Sequence, residues 1–466
     1  MKKIAVIYGE LKNELHMRAL RLLSEQIIEY TEEYPICIKC GEEERLSDYI
    51  KIYVGTKESN PYIAENSKVV LKYKEEYSIS VKNGSVMIEG SDDTGVLYGC
   101  ADFYNKYLVK AQYTDEFYTC WKNPFNDDLP DYELVAHPAV ENRGIWTWGD
   151  VIYDYRSFID NMVKLKMNSA IIWNDFPPIN GKEMVDYAHA SGIKVIWGYA
   201  WGWDTDCKAI NVRAINDSIP EILEKYERDY LPLGGDGIYF QSFTEVHQEN
   251  IDGILIAEAV TSFVNKASGM LLEKHPALEL QFGLHAMSVS EKLEYIKNVD
   301  PRVRIVWEDC GAFPFNYMPN EINDFNKMME LTGKISVLRG DDDNFGVVTK
   351  GMICRNWNEF KHLKGPVYVG TSTKKFKAGK SEKCSKIWKY VQSIWLTNAG
   401  YAAEAVRLMA NKKNGKLYIT GLIEDGMFED KVMLPAALYS EILWDPNQDI
   451  DKMINNVAQR SYVEFA

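Results

Sequence analysis

Tryptophan and carboxylate side chains recur together at four points of the 466-residue sequence, each just after a predicted strand. An indole ring can stack on the apolar face of a sugar, whereas carboxylates accept hydrogen bonds from its hydroxyl groups. Hydrolysis of a glycosidic bond needs two carboxyl groups, one to protonate the leaving oxygen and one to attack the sugar or activate water. Barrel-core tryptophans beside helix-capping carboxylates would give a similar pattern. The four segments are Trp146-Thr147-Trp148-Gly149-Asp150, Trp173-Asn174-Asp175, Trp201-Gly202-Trp203-Asp204 and Trp307-Glu308-Asp309.

Glu245 is the sharpest single candidate for the acid, because it follows a predicted apolar strand that becomes polar at its end, Gly237–Phe243. Phe243 beside it, and Trp201 and Trp203 in the preceding loop, would exclude water from the carboxyl group. Exclusion of water favours the protonated form, which a general acid needs. Helix capping is the alternative, but glutamate is a poor N-cap residue. We therefore expect Glu245 to protonate the leaving group.

The second carboxylate is expected from Glu308 or Asp309, which end the predicted sixth strand across the barrel mouth from Glu245. Neighbouring residues on a strand point to opposite faces, so only one of the two faces the site. Asp175 and Glu424, which end the second and eighth strands, compete for the same role. The sequence does not choose among these four residues.

Strand and helix patterns alternate from Arg143 onward at the spacing of a (β/α)8 barrel, whose active site forms at the carboxyl ends of its strands. The predicted fold class is α/β, with a (β/α)8 TIM barrel after a small α/β domain. We expect a non-catalytic domain over residues 1–128 and the catalytic barrel over residues 129–466. Strand-like pieces in residues 334–354 indicate an inserted hairpin or an error in the strand count. The eight predicted strands are Gly144–Trp148, Ser169–Asn174, Lys194–Tyr199, Gly237–Phe243, Leu278–Leu284, Arg304–Trp307, Val367–Gly370 and Leu417–Ile423.

Composition and charge exclude several classes of function. A net charge of −15 argues against nucleic acid as a partner, and no stretch approaches the roughly 20 apolar residues of a membrane span. The amino-terminal apolar run is too short for a signal peptide, and the eight cysteines form no framework, so a cytoplasmic location is expected. The seven histidines show no HxH or HExxH spacing, so no metal or other cofactor is expected. The oligomeric state stays open, and a homo-oligomer is one possibility.

Six segments of the chain resemble one superfamily of sugar-cleaving enzymes. They are Met87–Gly99, Pro138–Gly144, Leu165–Asn168, Trp173–Asp175, Tyr187–Ile196 and Leu434–Trp444. Their patterns are similar to those of the family 20 β-hexosaminidases, the family 84 hexosaminidases and the family 67 α-glucuronidases. The resemblance implies that the domain in front of the barrel is hexosaminidase-like.

The resemblance also implies roles for residues. In family 20 the arginine at the entry to the first strand binds hydroxyl groups of the terminal sugar, which implies this role for Arg143. Family 20 ends its fourth strand with Asp-Glu, and the aspartate orients the substrate's acetamido group as the nucleophile. Here the pair is Thr244-Glu245, so the acid is kept and the orienting aspartate is missing. This departure favours a two-carboxylate mechanism over substrate assistance.

We therefore expect a glycoside hydrolase that removes a terminal sugar, of hexosaminide or uronide type, from oligosaccharides or glycoconjugates by two-carboxylate acid/base catalysis. One alternative is a substrate-assisted β-N-acetylhexosaminidase. The alternative of another class is a carbohydrate-binding barrel protein without catalysis, and a third is a barrel hydrolase of non-glycosidic bonds. The sugar, its anomer and the stereochemical course stay open. The residues expected to contact the sugar are Arg143, Asp175, His285 and Glu424 at its hydroxyl groups, with Trp146, Trp148, Trp201, Trp203 and Trp307 as aromatic walls.

Overall fold

A computed structural model describes residues 3–107, 131–202, 212–243, 248–308, 325–352, 362–413, 416–424, 427–430 and 432–466. Within these residues a six-stranded sheet comes first and a closed eight-stranded barrel follows. The barrel fold predicted from the sequence is confirmed.

The amino-terminal sheet is mixed, with the strand order β2-β1-β3-β5-β4-β6. Its elements are β1 (Lys3–Tyr8), α1 (Glu14–Thr31), β2 (Ile36–Lys39), β3 (Tyr49–Gly55), α2 (Pro61–Asn66), β4 (Tyr77–Lys82), β5 (Ser85–Gly90), α3 (Asp93–Tyr107) and β6 (Tyr132–Ala136). Strand β4 runs antiparallel to both of its neighbours, whereas β1, β2, β3 and β5 are parallel. Fully buried β-branched residues such as Val6, Ile52 and Ile88 form its core beneath α1 and α3. Strand β6 belongs to this sheet, although it follows the predicted boundary at residue 128.

The barrel consists of eight parallel strands in the cyclic order β7-β8-β9-β10-β13-β14-β15-β16. Its strands are β7 (Asn142–Trp148), β8 (Ser169–Trp173), β9 (Lys194–Ala200), β10 (Gly237–Gln241), β13 (Glu279–His285), β14 (Arg304–Glu308), β15 (Phe345–Met352) and β16 (Leu417–Ile423). Two short pairs, β11 (Asn250–Ile251) with β12 (Ile254–Leu255) and β17 (Val432–Met433) with β18 (Val463–Glu464), lie outside it. The helices are α4 (Tyr155–Lys164), α5 (Gly181–His189), α6 (Ile219–Lys225), α7 (Ile256–Lys274), α8 (Leu293–Ile296), α9 (Phe325–Ile335), α10 (Lys374–Lys413), α11 (Met427–Asp430), α12 (Leu434–Trp444) and α13 (Ile450–Ala458).

Side-chain alternation along each strand divides the barrel into an inner and an outer layer. The inner layer contains Ile171, Ile196, Val306 and Val348, which pack with several aromatic rings. The outer layer joins the surrounding helices in one continuous core. Residues that end the strands on the inner face therefore point into the mouth of the barrel.

The predicted seventh strand, Val367–Gly370, is wrong. The seventh barrel strand is β15, in the stretch that the sequence suggested was an inserted hairpin or a miscount. Residues 367–370 instead bond to the loops after β7 and β8, where Val367 O accepts from Ile179 N–H and Gly370 N–H donates to Ile152 O. These residues are apolar and β-branched because they pack against those loops, and they do not pair with a strand of the barrel.

Three further features concern the helices, the possible metal ligands and the cysteines. No helix within the described residues has the length and apolarity needed to cross a membrane. Among the same residues, no three histidine, cysteine, aspartate or glutamate side chains come together as a metal site. Cys37, Cys40, Cys100 and Cys384 are free thiols.

Candidate active site

Five polar side chains from four neighbouring strands meet at the carboxyl end of the barrel. Glu308, the last residue of β14, is at their centre and is 5% exposed. Its Oε1 accepts hydrogen bonds from the Tyr239 hydroxyl and from Gln241 Nε2, the latter at 2.6 Å. Its Oε2 lies 2.7 Å from Lys350 Nζ and 3.5 Å from His285 Nε2. We refer to these five residues as the Glu308 cluster.

Strand alternation and pairing explain why the cluster forms. Tyr239 and Gln241 lie two residues apart on β10 and thus share its inner face. His285 is the register partner of Glu308 across β13 and β14. On β13, a Cβ at Gly283 would lie 2.0 Å from the Tyr239 hydroxyl, so only glycine leaves room for this donor.

The cluster keeps Glu308 ionised. Burial alone would raise the pKa of its carboxyl group, but the Lys350 and His285 charges and the hydrogen bonds from Lys350 and Tyr239 lower that pKa to about 2. A carboxylate with so low a pKa is a weak proton acceptor and never a general acid near neutral pH. It can serve as a permanent negative charge or as a nucleophile.

This ionisation predicts how stability depends on pH. The pKa of Glu308 is about 2 in the folded protein, against a reference of 4.5, so the unfolded chain binds more protons between these values and stability falls as the pH is lowered from about 4.5 to about 2. The shift corresponds to about 3 kcal/mol in the free energy of unfolding. Urea midpoints measured from pH 6 to pH 3 should fall less steeply for Glu308→Gln than for wild type. Equal slopes for the two proteins would contradict the assignment.

Three tryptophans adjoin the Glu308 cluster inside the barrel, and two of them, Trp146 and Trp173, contact its tyrosine, Tyr239. The ring of Trp146 lies 4.5 Å from that of Trp148, 6.2 Å from that of Trp173 and 5.8 Å from that of Tyr239. Tyr239 therefore joins the aromatic group to the carboxylate, because its hydroxyl donates to Glu308. Trp146 and Trp148, which the sequence analysis expected as aromatic walls, thus lie with Trp173 in the inner layer of the barrel, and all three are at most 9% exposed.

The chain turns sharply just before Glu245. Phe243 has a φ of 56°, a left-handed conformation that a bulky residue rarely adopts, and its side chain is buried. Such strain is concentrated at functional sites. Glu245 itself lies outside the described residues, as do Trp203 and Asp309.

Trp201 and Trp307 do not form walls of the mouth, contrary to the prediction. Trp201 is fully buried and stacks on Phe240, with ring centroids 3.6 Å apart, in the layer between strands and helices. Trp307 also belongs to that outer layer. The reason is alternation, because Glu308 faces inward and its neighbour Trp307 must face outward.

Arg143 does not reach the mouth either, so the role implied by the family resemblance is wrong. It lies near the start of β7, 1% exposed, and bonds Glu75 of the amino-terminal domain at 2.6 Å. Its other donors reach the backbone carbonyls of Val140, Glu141 and Lys166. All five guanidinium N–H groups thus have acceptors, and none is available for a sugar. Arg143 fastens the two domains together.

Replacement of Arg143 by methionine is expected to lower stability without changing turnover per folded molecule. The substitution leaves the Glu75 carboxylate buried without its cation, which costs about 3–5 kcal/mol. Urea unfolding and glycoside hydrolysis by the same preparation measure the two effects. The double variant Arg143→Met with Glu75→Met should be closer to wild type in stability. A raised KM with unchanged stability would restore a sugar-binding role.

Asp175 forms hydrogen bonds with the Trp173 indole and with residues 362–363. One oxygen accepts a hydrogen bond from Trp173 Nε1 at 3.2 Å. The other lies 3.2 Å from both the Leu363 N–H and His362 Nδ1. These bonds orient the Trp173 ring and attach residues 362–363 to the end of β8. The geometry therefore supports a positioning role more directly than the predicted contact with a hydroxyl group.

Glu424 and His285 lie where the sequence analysis placed them, at the ends of strands. Glu424 directly follows β16 and is buried, two residues after Leu422 of the inner layer. His285 ends β13 within the Glu308 cluster.

Sequence reasoning missed Lys350, Tyr239 and Gln241. The signal for Lys350 was a lysine that ends an apolar run, but the seventh strand had been assigned elsewhere. The signal for the other two was a tyrosine and a glutamine two positions apart on the strand before Glu245, where they share one face.

Three solved structures share the architecture over nearly the whole chain, each at 12% sequence identity. CpGH84B has a TM-score of 0.58 and is matched over 98% of this chain and 70% of its own. A GH138 enzyme targeting pectin rhamnogalacturonan II has a TM-score of 0.53 over 96% of this chain and 64% of its own. BtGH115A, a family GH115 4-O-methyl-α-glucuronidase with specificity for decorated arabinogalactans, has a TM-score of 0.52 over 98% of this chain and 58% of its own.

No family model and no curated protein matches the sequence. At this level of identity the structural likeness concerns the fold. The fold-level resemblance expected from the sequence is confirmed, and the chain has the barrel architecture of the GH84, GH138 and GH115 structures.

Proposed function

We propose that this protein is a glycoside hydrolase that removes a terminal sugar from oligosaccharides or glycoconjugates. The observation that carries the proposal is the Glu308 cluster, an ionised carboxylate at the barrel mouth beside three indole rings. The transition state of glycoside hydrolysis carries positive charge on the sugar, which a neighbouring negative charge stabilises, and sugar rings stack on indole. The glycoside hydrolases that share the fold support this reading.

Glu308 and Glu245 divide the chemistry between them. The low pKa of Glu308 favours the nucleophile over the general base. One of its oxygens attacks the anomeric carbon, the bond to the leaving oxygen breaks, and Glu245 protonates that oxygen. Water, deprotonated by Glu245, then releases the sugar from the ester. This assignment places Glu308 ahead of Asp309 as the second carboxylate and predicts retention of configuration.

For the sugar we propose a class, a hexosaminide or a uronide, and not a single compound. The sequence suggested a hexosaminide or a uronide, and BtGH115A acts on a glucuronide. The aromatic group of Trp146, Trp148 and Trp173 suits the apolar face of either ring. We also propose a reducing, cytoplasmic compartment, supported by the free thiols of the described residues.

One observation favours a second candidate, a carbohydrate-binding protein without catalysis. Each oxygen of Glu308 already faces two partners, Tyr239 and Gln241 on one side and Lys350 and His285 on the other. If these partners stay in place, both oxygens of Glu308 remain occupied. The carboxylate would then hold the cluster together and could not attack a sugar. Binding of a sugar without release of its aglycone would distinguish this candidate.

A panel of aryl α- and β-glycosides, including hexosaminides and uronides, tests the proposed function. Wild type should cleave at least one member. Glu245→Gln should lose about 10²–10⁴-fold on poor leaving groups and much less on good ones, because only poor leaving groups need a proton. Equal turnover of both kinds by the two proteins would remove Glu245 from the mechanism, and no turnover of any member would favour the binding protein.

A further inference from the structure

A cavity lies between the two domains, at the end of the barrel opposite to the Glu308 cluster. Its volume is about 550 Å³, within the range of roughly 300–1,000 Å³ typical of small-molecule sites. Tyr77, Asp102 and Tyr132 line it from the amino-terminal domain, and Lys166, Glu441 and Arg460 from the barrel. Lys166 precedes the first residue of β8, so the cavity adjoins the amino ends of the strands. The proposed catalytic mouth does not include it.

Charged side chains in the cavity wall pair with each other. Arg460 Nη2 bonds Glu441 Oε2 at 2.8 Å, and Lys166 Nζ lies 3.5 Å from Asp102 Oδ1. Gln448 also donates to Glu441, at 3.2 Å. Two cations thus face these two carboxylates, and Asp445 adds a third carboxylate to the lining, so the wall has no excess positive charge to select an anion.

One buried polar atom in the wall lacks a partner among the described residues. It is Nη1 of Arg460, whose side chain is 5% exposed. A buried donor without a partner costs about 1–3 kcal/mol, so such atoms are normally met by ordered water or by a bound molecule. The position of Arg460 Nη1 at the wall of a large cavity indicates a ligand that accepts a hydrogen bond there.

We propose that this interdomain cavity binds a small neutral polyhydroxyl molecule, of mono- or disaccharide size. Side-chain amides at its rim, from Asn447, Gln448, Asn456 and Gln459, both donate and accept, as hydroxyl groups require. Because both domains contribute walls, the ligand would bind them to each other. Such binding would not require catalysis at the barrel mouth.

Calorimetric titration with glucose, N-acetylglucosamine, maltose, glucuronate and inorganic phosphate tests the proposal on the full-length protein. Gln459→Trp fills the cavity from its rim, and Asn455→Trp, at an exposed position of α13 that does not line the cavity, is the matched control. At least one neutral sugar should bind wild type, with Kd raised about tenfold or more by Gln459→Trp and little changed by Asn455→Trp.

Other outcomes overturn the proposal. One is that no neutral sugar binds wild type. Another is that Gln459→Trp leaves the Kd unchanged, which would place the sugar in the catalytic mouth. The third is that the protein binds phosphate or glucuronate more tightly than any neutral sugar. Asn456→Trp, at an exposed rim residue, replaces Gln459→Trp if circular dichroism shows that the latter is unfolded. If the protein does not hydrolyse glycosides, these binding results are still expected. The experiment therefore tests the interdomain cavity independently of the proposed hydrolysis.

Discussion

Substitution of Glu308 by glutamine is expected to reduce kcat by at least about 10²–10³-fold, with the fold retained. The side chain keeps its size but loses the negative charge that the cluster maintains with a pKa of about 2. Without that charge, neither attack on the anomeric carbon nor stabilisation of its positive charge remains. The measurement is hydrolysis of the aryl glycoside that wild type cleaves fastest. Azide should restore part of the rate by attacking the sugar in place of the carboxylate.

Glu441→Gln is the matched control for this substitution. Glu441 is also buried, and Lys166 and Arg460 lower its pKa to about 2 against the opposing effect of burial. It lies at the other end of the barrel, so its neutralisation should affect stability and leave kcat nearly unchanged. A similar loss of kcat in both variants would show that the effect of Glu308→Gln is only structural.

Replacement of Lys350 by methionine is expected to lower the free energy of unfolding by about 3–5 kcal/mol. It leaves the Glu308 carboxylate buried without the cation that lies 2.7 Å away. The pKa of Glu308 should rise, since burial opposes its charge and Lys350 is the first of the groups that offset burial. The acid limb of kcat/KM should therefore move to higher pH. Urea unfolding and a pH–rate profile measure the two effects.

The double variant Lys350→Met with Glu308→Gln is the control for stability. It removes both charges, so its stability should recover much of the loss, while its activity stays low. Losses that simply add in the double variant would mean that the two side chains are not coupled. An acid limb that does not move in Lys350→Met would show that Lys350 does not act on the reacting carboxylate.

Most of the fold could be predicted from the sequence because strand and helix patterns alternate strongly after Arg143. The exception was the seventh strand. Val367–Gly370 has the composition of a strand, but composition does not reveal that its backbone bonds to the loops after β7 and β8. The true strand, β15, is buried along its whole length, and its sequence, which includes Thr349 and Lys350, shows no regular alternation of polar and apolar residues to detect.

The site was partly predictable, because side chains alternate between the two faces of a strand. Alternation, applied to Trp307 and Glu308, gives one inward and one outward side chain, and it could have removed Trp307 from the aromatic walls. Arg143 stands at the start of a strand, where residues in barrels usually serve stability, and its partner Glu75 is 68 positions away in the sequence. Sequence patterns carry no information on such a pairing across domains.

Covalent trapping tests the role of Glu308 most directly. A 5-fluoro glycosyl fluoride of the sugar that the panel identifies should label wild type with one glycosyl unit, and tryptic digestion should place the label on residues 305–327. Fragmentation of that peptide should assign it to Glu308, with no label in Glu308→Gln. A label on Asp309 or on another carboxylate, or continued turnover with inversion and no adduct, would contradict the account.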